Sequence, residues 1–71
     1  MARKLQLNTL LRNVRLSKGW TMQTVADAIG VTNACISNWE MGKSTPRPAN
    51  LTAVCKTLRI PLREARALAA Q

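Results

Sequence analysis

The sequence predicts an all-α protein of five short helices. Three glycines (Gly19, Gly30 and Gly42) each follow a stretch whose apolar residues recur with the 3.6-residue period of a helix, at the place where helices commonly end. No stretch alternates apolar and polar residues as a strand does, and no repeat, linker or low-complexity run interrupts the chain. With 71 residues, a single hydrophobic core needs most of the chain. We therefore predict one domain over residues 1–71.

The first two helices are defined by their capping residues. Helix 1 is predicted over about 9–18, because Asn8 is a suitable N-cap and Gly19 follows the last turn. Thr21 is a capping residue of the same kind and opens a short second helix, which ends before Gly30. Its short side chain can accept a hydrogen bond from a free backbone N–H of the first turn.

The remaining helices follow from a threonine and two prolines. Thr32 is the predicted N-cap of helix 3, which runs to about Met41. Residues 43–47 form a polar loop, and Pro48 begins helix 4 at the first helical position, where proline is tolerated. Pro61 opens the last helix.

The composition argues against an enzyme. The chain has no histidine, and its three acidic residues (Asp27, Glu40 and Glu64) lie far apart in sequence. Metal sites, histidine-dependent triads and paired-carboxylate hydrolases therefore lack their usual side chains. We expect no metal and no cofactor. The only aromatic residues are Trp20 and Trp39, which also disfavours proteins that stack bases on aromatic platforms.

The charge predicts a polyanionic partner. Eleven lysines and arginines against three acids give a net charge of +8, which favours association with nucleic acid through counterion release. No apolar run approaches the roughly 20 residues of a transmembrane helix, the basic residues are spread over several segments, and no signal peptide is seen. We expect no membrane partner and a cytoplasmic location. Arg3 and Lys4, within residues 1–6, form either a DNA-seeking arm or a frayed terminus.

Residues 22–41 fit a helix-turn-helix. Small Ala26 allows two helices to cross closely, and Gly30 permits the sharp turn between them. On a helical wheel, two groups of residues separate along helix 3. The inner group comprises Thr32, Cys35, Ile36, Trp39 and Glu40, and the outer group comprises Asn33, Ala34, Ser37, Asn38 and Met41. The outer group is polar but uncharged, which suits base edges in a major groove.

These motifs resemble the Cro/C1-type helix-turn-helix family, which includes lambdoid phage repressors and Cro proteins. The resemblance covers roughly Leu7 to Leu68. It rests on the joint spacing of Leu11, Val14-Arg15, Gly19, Thr21, Val25-Ala26, Ile29 to Thr32, Ile36-Ser37, Trp39-Glu40, Gly42-Lys43, Pro46, Leu51, Val54, Lys56 and Leu58. It implies a compact five-helix, lambda-repressor-like DNA-binding domain.

The resemblance also implies roles for residues of the motif and the loop after it. The residues implied in base recognition are Asn33, Ala34, Ser37 and Asn38. The residues implied in phosphate contact are Gln23, Thr32, Lys43, Ser44 and Arg47. Met22 departs from the family pattern, because it stands where family members usually have a glutamine. Gln23 is the substitute, rotated by about 100° on the helix.

The resemblance further implies an ion pair and a dimer interface. Arg15 and Glu40 match the family's buried ion pair between helix 1 and the end of helix 3, the alternative being two solvated charges. The implied homodimer contacts are Arg59, Ile60, Pro61 and Leu62. For Ile60 an equally good interpretation is that it completes the core of the monomer.

Four other residues are interpreted as packing residues. Trp39 is expected in the core, since its neighbours on the wheel are Ile36 and Cys35, and Trp20 is expected to be a half-buried lid. Cys35 and Cys55 are expected to act as small hydrophobes rather than as redox sensors.

The function predicted from the sequence is transcriptional repression. A Cro-like homodimer would bind a pseudo-palindromic operator in double-stranded DNA and block access of the polymerase, with no small-molecule ligand. Antitoxins and restriction–modification controller proteins would share the domain. A second class is a protein-interaction module whose basic surface, including Arg63 and Arg66, binds an acidic partner. A third, a cationic membrane-active peptide, fits poorly with apolar patterning along the whole chain.

Overall fold

The computed structural model describes residues 6–70 and contains five α-helices within them. No residue of this range is in a β-strand, so the predicted all-α class is confirmed. Arg3 and Lys4, the candidate arm, lie outside the described residues. The helices are α1 (Leu7–Ser17), α2 (Met22–Ile29), α3 (Asn33–Glu40), α4 (Pro48–Leu58) and α5 (Leu62–Ala69).

The start of α1 differs from the prediction. The helix begins at Leu7, and Gln6 rather than Asn8 is the residue before it, without a side-chain cap. Leu7 is 8 % exposed and belongs to the core, and the Leu10 N–H donates to the Gln6 carbonyl at 3.0 Å. Burial of Leu7 thus favours an earlier start than capping by Asn8 would give. The Asn8 side-chain amide instead donates to the Glu40 carbonyl at 3.4 Å.

The helices of the motif begin as predicted. The Thr21 hydroxyl accepts from the Thr24 N–H at 3.1 Å, and the Thr32 hydroxyl accepts from the Cys35 N–H at 3.2 Å. Between them, Gly30 adopts φ +76°, a left-handed conformation that disfavours residues with a β-carbon. This residue turns the chain from α2 into α3.

One core contacts all five helices. It includes Trp39, which is 5 % exposed, and Cys55, which is 2 % exposed, as predicted for both. Trp20 and Cys35 are partly buried against it. The other buried apolar residues are Leu7, Leu11, Val25, Ala26, Ile36, Leu51, Val54, Leu58, Ile60 and Ala65.

The connection between α4 and α5 contains an unusual backbone conformation. Arg59 has φ +59° and ψ +44°, and no other described residue except glycine has a positive φ. It ends α4 in the way glycine commonly does. The N–H groups of Arg59 and Ile60 both donate to the Cys55 carbonyl.

The packing leaves one side of α3 free. Helix α3 packs against α1 and α2, α4 packs against α2, and α5 packs against α4 and α1. Ile36 and Trp39 point from α3 into the core, so the opposite side of this helix faces outward. Within residues 6–70, no helix has the length and hydropathy required to cross a membrane.

Candidate nucleic-acid interface

The outer face of α3 has the composition predicted from the helical wheel. Asn33, Ala34 and Asn38 are exposed, and Ser37 is half-buried. Two amide side chains, one hydroxyl and one methyl group therefore share one side of the helix. Such groups can form hydrogen bonds or apolar contacts with base edges, and none of them carries a charge.

The Ser37 hydroxyl already has a partner on this face. It donates to the Met41 sulfur at 3.4 Å. Met41 follows the last residue of α3 and is 61 % exposed. The helical wheel predicts Met41 on this side of α3, although Met41 is not among the residues expected to contact DNA.

The loop after α3 is bound to the end of that helix. The backbone N–H groups of Lys43 and Ser44 both donate to the Asn38 carbonyl, at 2.9 Å and 3.4 Å. The side chains of Lys43, Ser44 and Arg47 are exposed. These hydrogen bonds therefore hold the backbone that carries Lys43 close to the outer face of α3. Arg47 directly precedes Pro48, the first residue of α4.

The other predicted phosphate-contacting residues have partners within the chain. The Gln23 side-chain amide donates to the Asp27 carboxylate at 2.7 Å, one turn further along α2. Thr32 is exposed, but its hydroxyl accepts the capping hydrogen bond of α3. Met22 packs partly buried against the core. The glutamine of the family pattern is thus replaced by a packing residue, and Gln23 beside it lies next to a carboxylate.

The predicted ion pair links the end of α3 to α1. Arg15 Nε lies 2.7 Å from Glu40 Oε2, and Arg15 Nη2 lies 2.9 Å from Glu40 Oε1. The two side chains are 11 % and 6 % exposed. Arg15 Nη1 also donates to the Trp20 carbonyl at 2.7 Å. The hydrogen bonds to Glu40 raise the pKa of Arg15, while burial acts in the opposite direction.

The predicted dimer contacts divide into exposed and buried residues. Arg59 and Pro61 are exposed, and Leu62 is half-buried. Ile60 is only 7 % exposed in the single chain. Its side chain is in the core, where it offers almost no surface to a second copy. This placement corrects the inclusion of Ile60 among the dimer contacts and agrees with the alternative interpretation given above.

Comparison with known proteins places this arrangement in a family. The helix-turn-helix family model matches residues 11–64, a range that contains α2, α3 and α4 and most of α1. The chain belongs to the Cro/C1-type helix-turn-helix family. In the terms of this family, α2 and α3 form the helix-turn-helix and α3 is its second helix.

Two curated regulators are similar to this helix-turn-helix chain. The HTH-type transcriptional regulator SutR of Escherichia coli is 33 % identical over 55 residues, which are 78 % of this chain and 31 % of SutR. The transcriptional regulator ClgR of Mycobacterium tuberculosis is 36 % identical over 53 residues, which are 75 % of this chain and 47 % of ClgR. The chain thus matches less than half the length of either regulator.

Two solved structures share the helix-turn-helix fold. The clp gene regulator ClgR from C. glutamicum has a TM-score of 0.75 and 30 % identity, covering 90 % of this chain and 83 % of that chain. The P22 c2 repressor, crystallised with a synthetic operator, has a TM-score of 0.83 and 24 % identity, covering 87 % of this chain and 94 % of that chain. The second match concerns the fold alone.

Two pairs of side chains on the helix-turn-helix were not expected from the sequence. The pairs are Gln23 with Asp27 and Ser37 with Met41. Both have the i, i+4 spacing that brings side chains together on a helix. That spacing is visible in the sequence and is the signal that could have identified them.

Proposed function

We propose that the chain is a DNA-binding transcription regulator whose α3 enters the major groove. The observation that carries this proposal is the outer face of α3, where Asn33, Ala34 and Asn38 are exposed and uncharged. An asparagine amide can form two hydrogen bonds with adenine N6 and N7, and an alanine methyl can contact a thymine methyl. The face thus carries groups that distinguish base pairs.

Phosphate contact is assigned to the flanks of this face. The sequence has no lysine or arginine between Lys18 and Lys43, so α2 and α3 supply no cation. Lys43, Ser44 and Arg47 are exposed on the adjoining loop, and contacts of this kind fix the register of a protein on DNA without recognising its sequence. Gln23 and Thr32 contribute less, because both side chains have partners in the free protein.

The regulator acts as a Cro-like repressor, binding a pseudo-palindromic operator as a homodimer. One helix-turn-helix contacts only a few base pairs, too few to compete with the other sites of a genome. Two-fold symmetry doubles the recognised sequence and places half-sites about 10 bp apart. Arg59, Pro61 and Leu62 are the proposed dimer contacts. Bound over a promoter in the cytoplasm, such a dimer would block the polymerase.

The proposed dimer contacts include one charged residue, Arg59, so association of the free protein is expected to be weak. Arg59 of one copy would lie near Arg59 of the other across a two-fold axis, and like charges repel. Sedimentation of the free protein at low and high salt tests this point. We expect more dimer at high salt, which screens the repulsion, whereas DNA binding should weaken under the same conditions.

Selection of bound fragments from random DNA tests the proposed function. The expected result is one enriched site with two-fold symmetry and half-sites separated by about 10 bp. Binding to half and full operators then tests the dimer. A monomer that binds a half-site as tightly as two copies bind the full site would rule out the homodimer, and no enriched sequence would rule out specific recognition.

A further inference from the structure

Met41 is an exposed apolar side chain beside polar residues that face DNA in the proposed function. It is 61 % exposed, and Leu16 on α1, at 52 %, is the other exposed large hydrophobic residue that the structure describes. Met41 therefore contributes little to the core. A thioether also has no N–H or O–H group, so Met41 cannot donate a hydrogen bond to phosphate.

The contact with Met41 determines which kind of hydrogen bond Ser37 can form with a base. A serine hydroxyl has one proton and two lone pairs. In this structure the proton is directed to the Met41 sulfur, 3.4 Å from the hydroxyl oxygen. The oxygen is then free to accept a hydrogen bond but not to donate one. It matches the exocyclic amino groups of adenine and cytosine, and not the acceptors O6 and N7 of guanine.

We propose that Met41 is a specificity-determining residue of α3, acting both directly and through Ser37. Its sulfur holds the Ser37 hydroxyl as an acceptor for an amino group in the major groove. Its methyl end contacts the C5 methyl of a thymine in a flanking base pair, because the Cα atoms of residues four positions apart on a helix are separated by about 6 Å along the axis. This inference rests on the proposed function and extends its set of base-contacting residues.

Replacement of each operator thymine by deoxyuridine tests the direct contact. Deoxyuridine lacks only the C5 methyl group, so base pairing is preserved. We expect wild-type affinity to fall about fourfold at the thymine that Met41 contacts. The Met41→Ala variant should bind the thymine and deoxyuridine operators equally at that position, while any position contacted by Ala34 should stay sensitive in both proteins.

Leu16→Ala is the matched control for this test. It removes an exposed apolar side chain of similar size from α1, outside the helix-turn-helix. Its deoxyuridine profile should equal that of the wild type at every position. A Met41→Ala profile that also equals the wild-type profile would overturn the direct contact.

A double-mutant cycle tests the action through Ser37. Met41→Leu keeps an apolar side chain but removes the sulfur acceptor, and Ser37→Ala removes the hydroxyl. At the base pair that Ser37 contacts, we expect Met41→Leu to reduce discrimination between the preferred base and guanine by about two- to tenfold. In the Ser37→Ala background the same change should have no further effect at that position.

The outcomes separate this inference from the proposed function. If the wild type selects an operator but additive losses are found in the cycle, the Ser37–Met41 coupling is wrong and the proposed function stands. If random-sequence selection yields no preferred site, the proposed function fails and the role of Met41 fails with it.

Discussion

Arg15 and Glu40, 25 residues apart in sequence, form two parallel hydrogen bonds between α1 and the end of α3. The guanidinium also donates to the Trp20 carbonyl, which lies in the connection before α2. One arginine thus links α1 to the connection before the helix-turn-helix and to the end of α3. Among the described residues, no buried side-chain nitrogen or oxygen lacks a partner.

Removal of either partner should strongly destabilise the fold. Arg15→Ala and Glu40→Ala should each lower the free energy of unfolding by about 3 to 5 kcal/mol, because a buried charge is left without its partner. The double variant Arg15→Met/Glu40→Leu should lose less than the sum of the single losses. Urea denaturation measures all three, and single losses below about 1 kcal/mol would mean that the pair behaves as an exposed one.

Burial raises the pKa of the Cys55 thiol, which predicts a loss of stability in alkali. The unfolded chain releases the thiol proton from about pH 8.5, whereas the folded protein retains it to higher pH. The folded state then binds more protons than the unfolded state, so stability falls as pH rises, by up to about 1.4 kcal/mol per pH unit. Below about pH 8, the contribution of the Cys55 thiol to the free energy of unfolding does not change with pH.

Cys55→Ala is the control for the alkaline measurement. Denaturant titrations at pH values from 7 to about 10 should show a shallower decline for this variant than for the wild type. Cys35 is present in both proteins and cancels from the comparison. Parallel declines would show that Cys55 does not account for the alkaline loss.

Replacement of Arg59 by glycine should stabilise the protein, because glycine adopts the left-handed backbone conformation at this position without strain. A residue with a β-carbon costs about 1 to 2 kcal/mol in this conformation, while glycine adds about 0.5 to 1 kcal/mol of unfolded-chain entropy. Arg59→Gly should therefore raise the free energy of unfolding by about 0.5 to 1 kcal/mol. Arg59→Ala removes the same charge but keeps the β-carbon, so thermal denaturation should show no comparable gain for it.

Much of the fold follows from local signals in the sequence. Thr21, Thr32 and Pro48 define helix starts through groups close by in the chain, and the structure has those starts. The predicted start of α1 is wrong, because burial of Leu7, a tertiary effect, outweighs the capping preference of Asn8. Ile60 was ambiguous for the same reason, since its burial depends on how the chain turns at Arg59.

The candidate site was less predictable than the fold. The helical wheel placed Asn33, Ala34 and Asn38 on the exposed side, because the side of a helix on which a residue lies follows from the helical period alone. The i, i+4 spacing also places Gln23 near Asp27, but the hydrogen bond itself depends on the rotamers of the two side chains, which the helical period does not determine. The phosphate contact that the family resemblance implies for Gln23 therefore competes with the hydrogen bond between Gln23 and Asp27.

Asp27 should weaken DNA binding through its charge and through Gln23. Asp27→Ala removes a carboxylate from α2 and frees the Gln23 amide, which should raise affinity for any duplex by about twofold. Glu64→Ala on α5 makes the same change in net charge on a helix that packs against α4 and α1. Binding titrations at fixed salt should show a smaller gain for Glu64→Ala, and equal gains would assign the effect to net charge alone.

The most direct test of recognition by α3 compares two classes of variant on operator and scrambled duplexes at several salt concentrations. Asn33→Ala and Asn38→Ala should each lose about 1 to 3 kcal/mol on the operator and almost nothing on the scrambled duplex. Lys43→Ala and Arg47→Ala should weaken binding to both duplexes alike and lower the salt slope by about one unit. Equal losses on both duplexes for the asparagine variants would contradict base recognition by the outer face of α3.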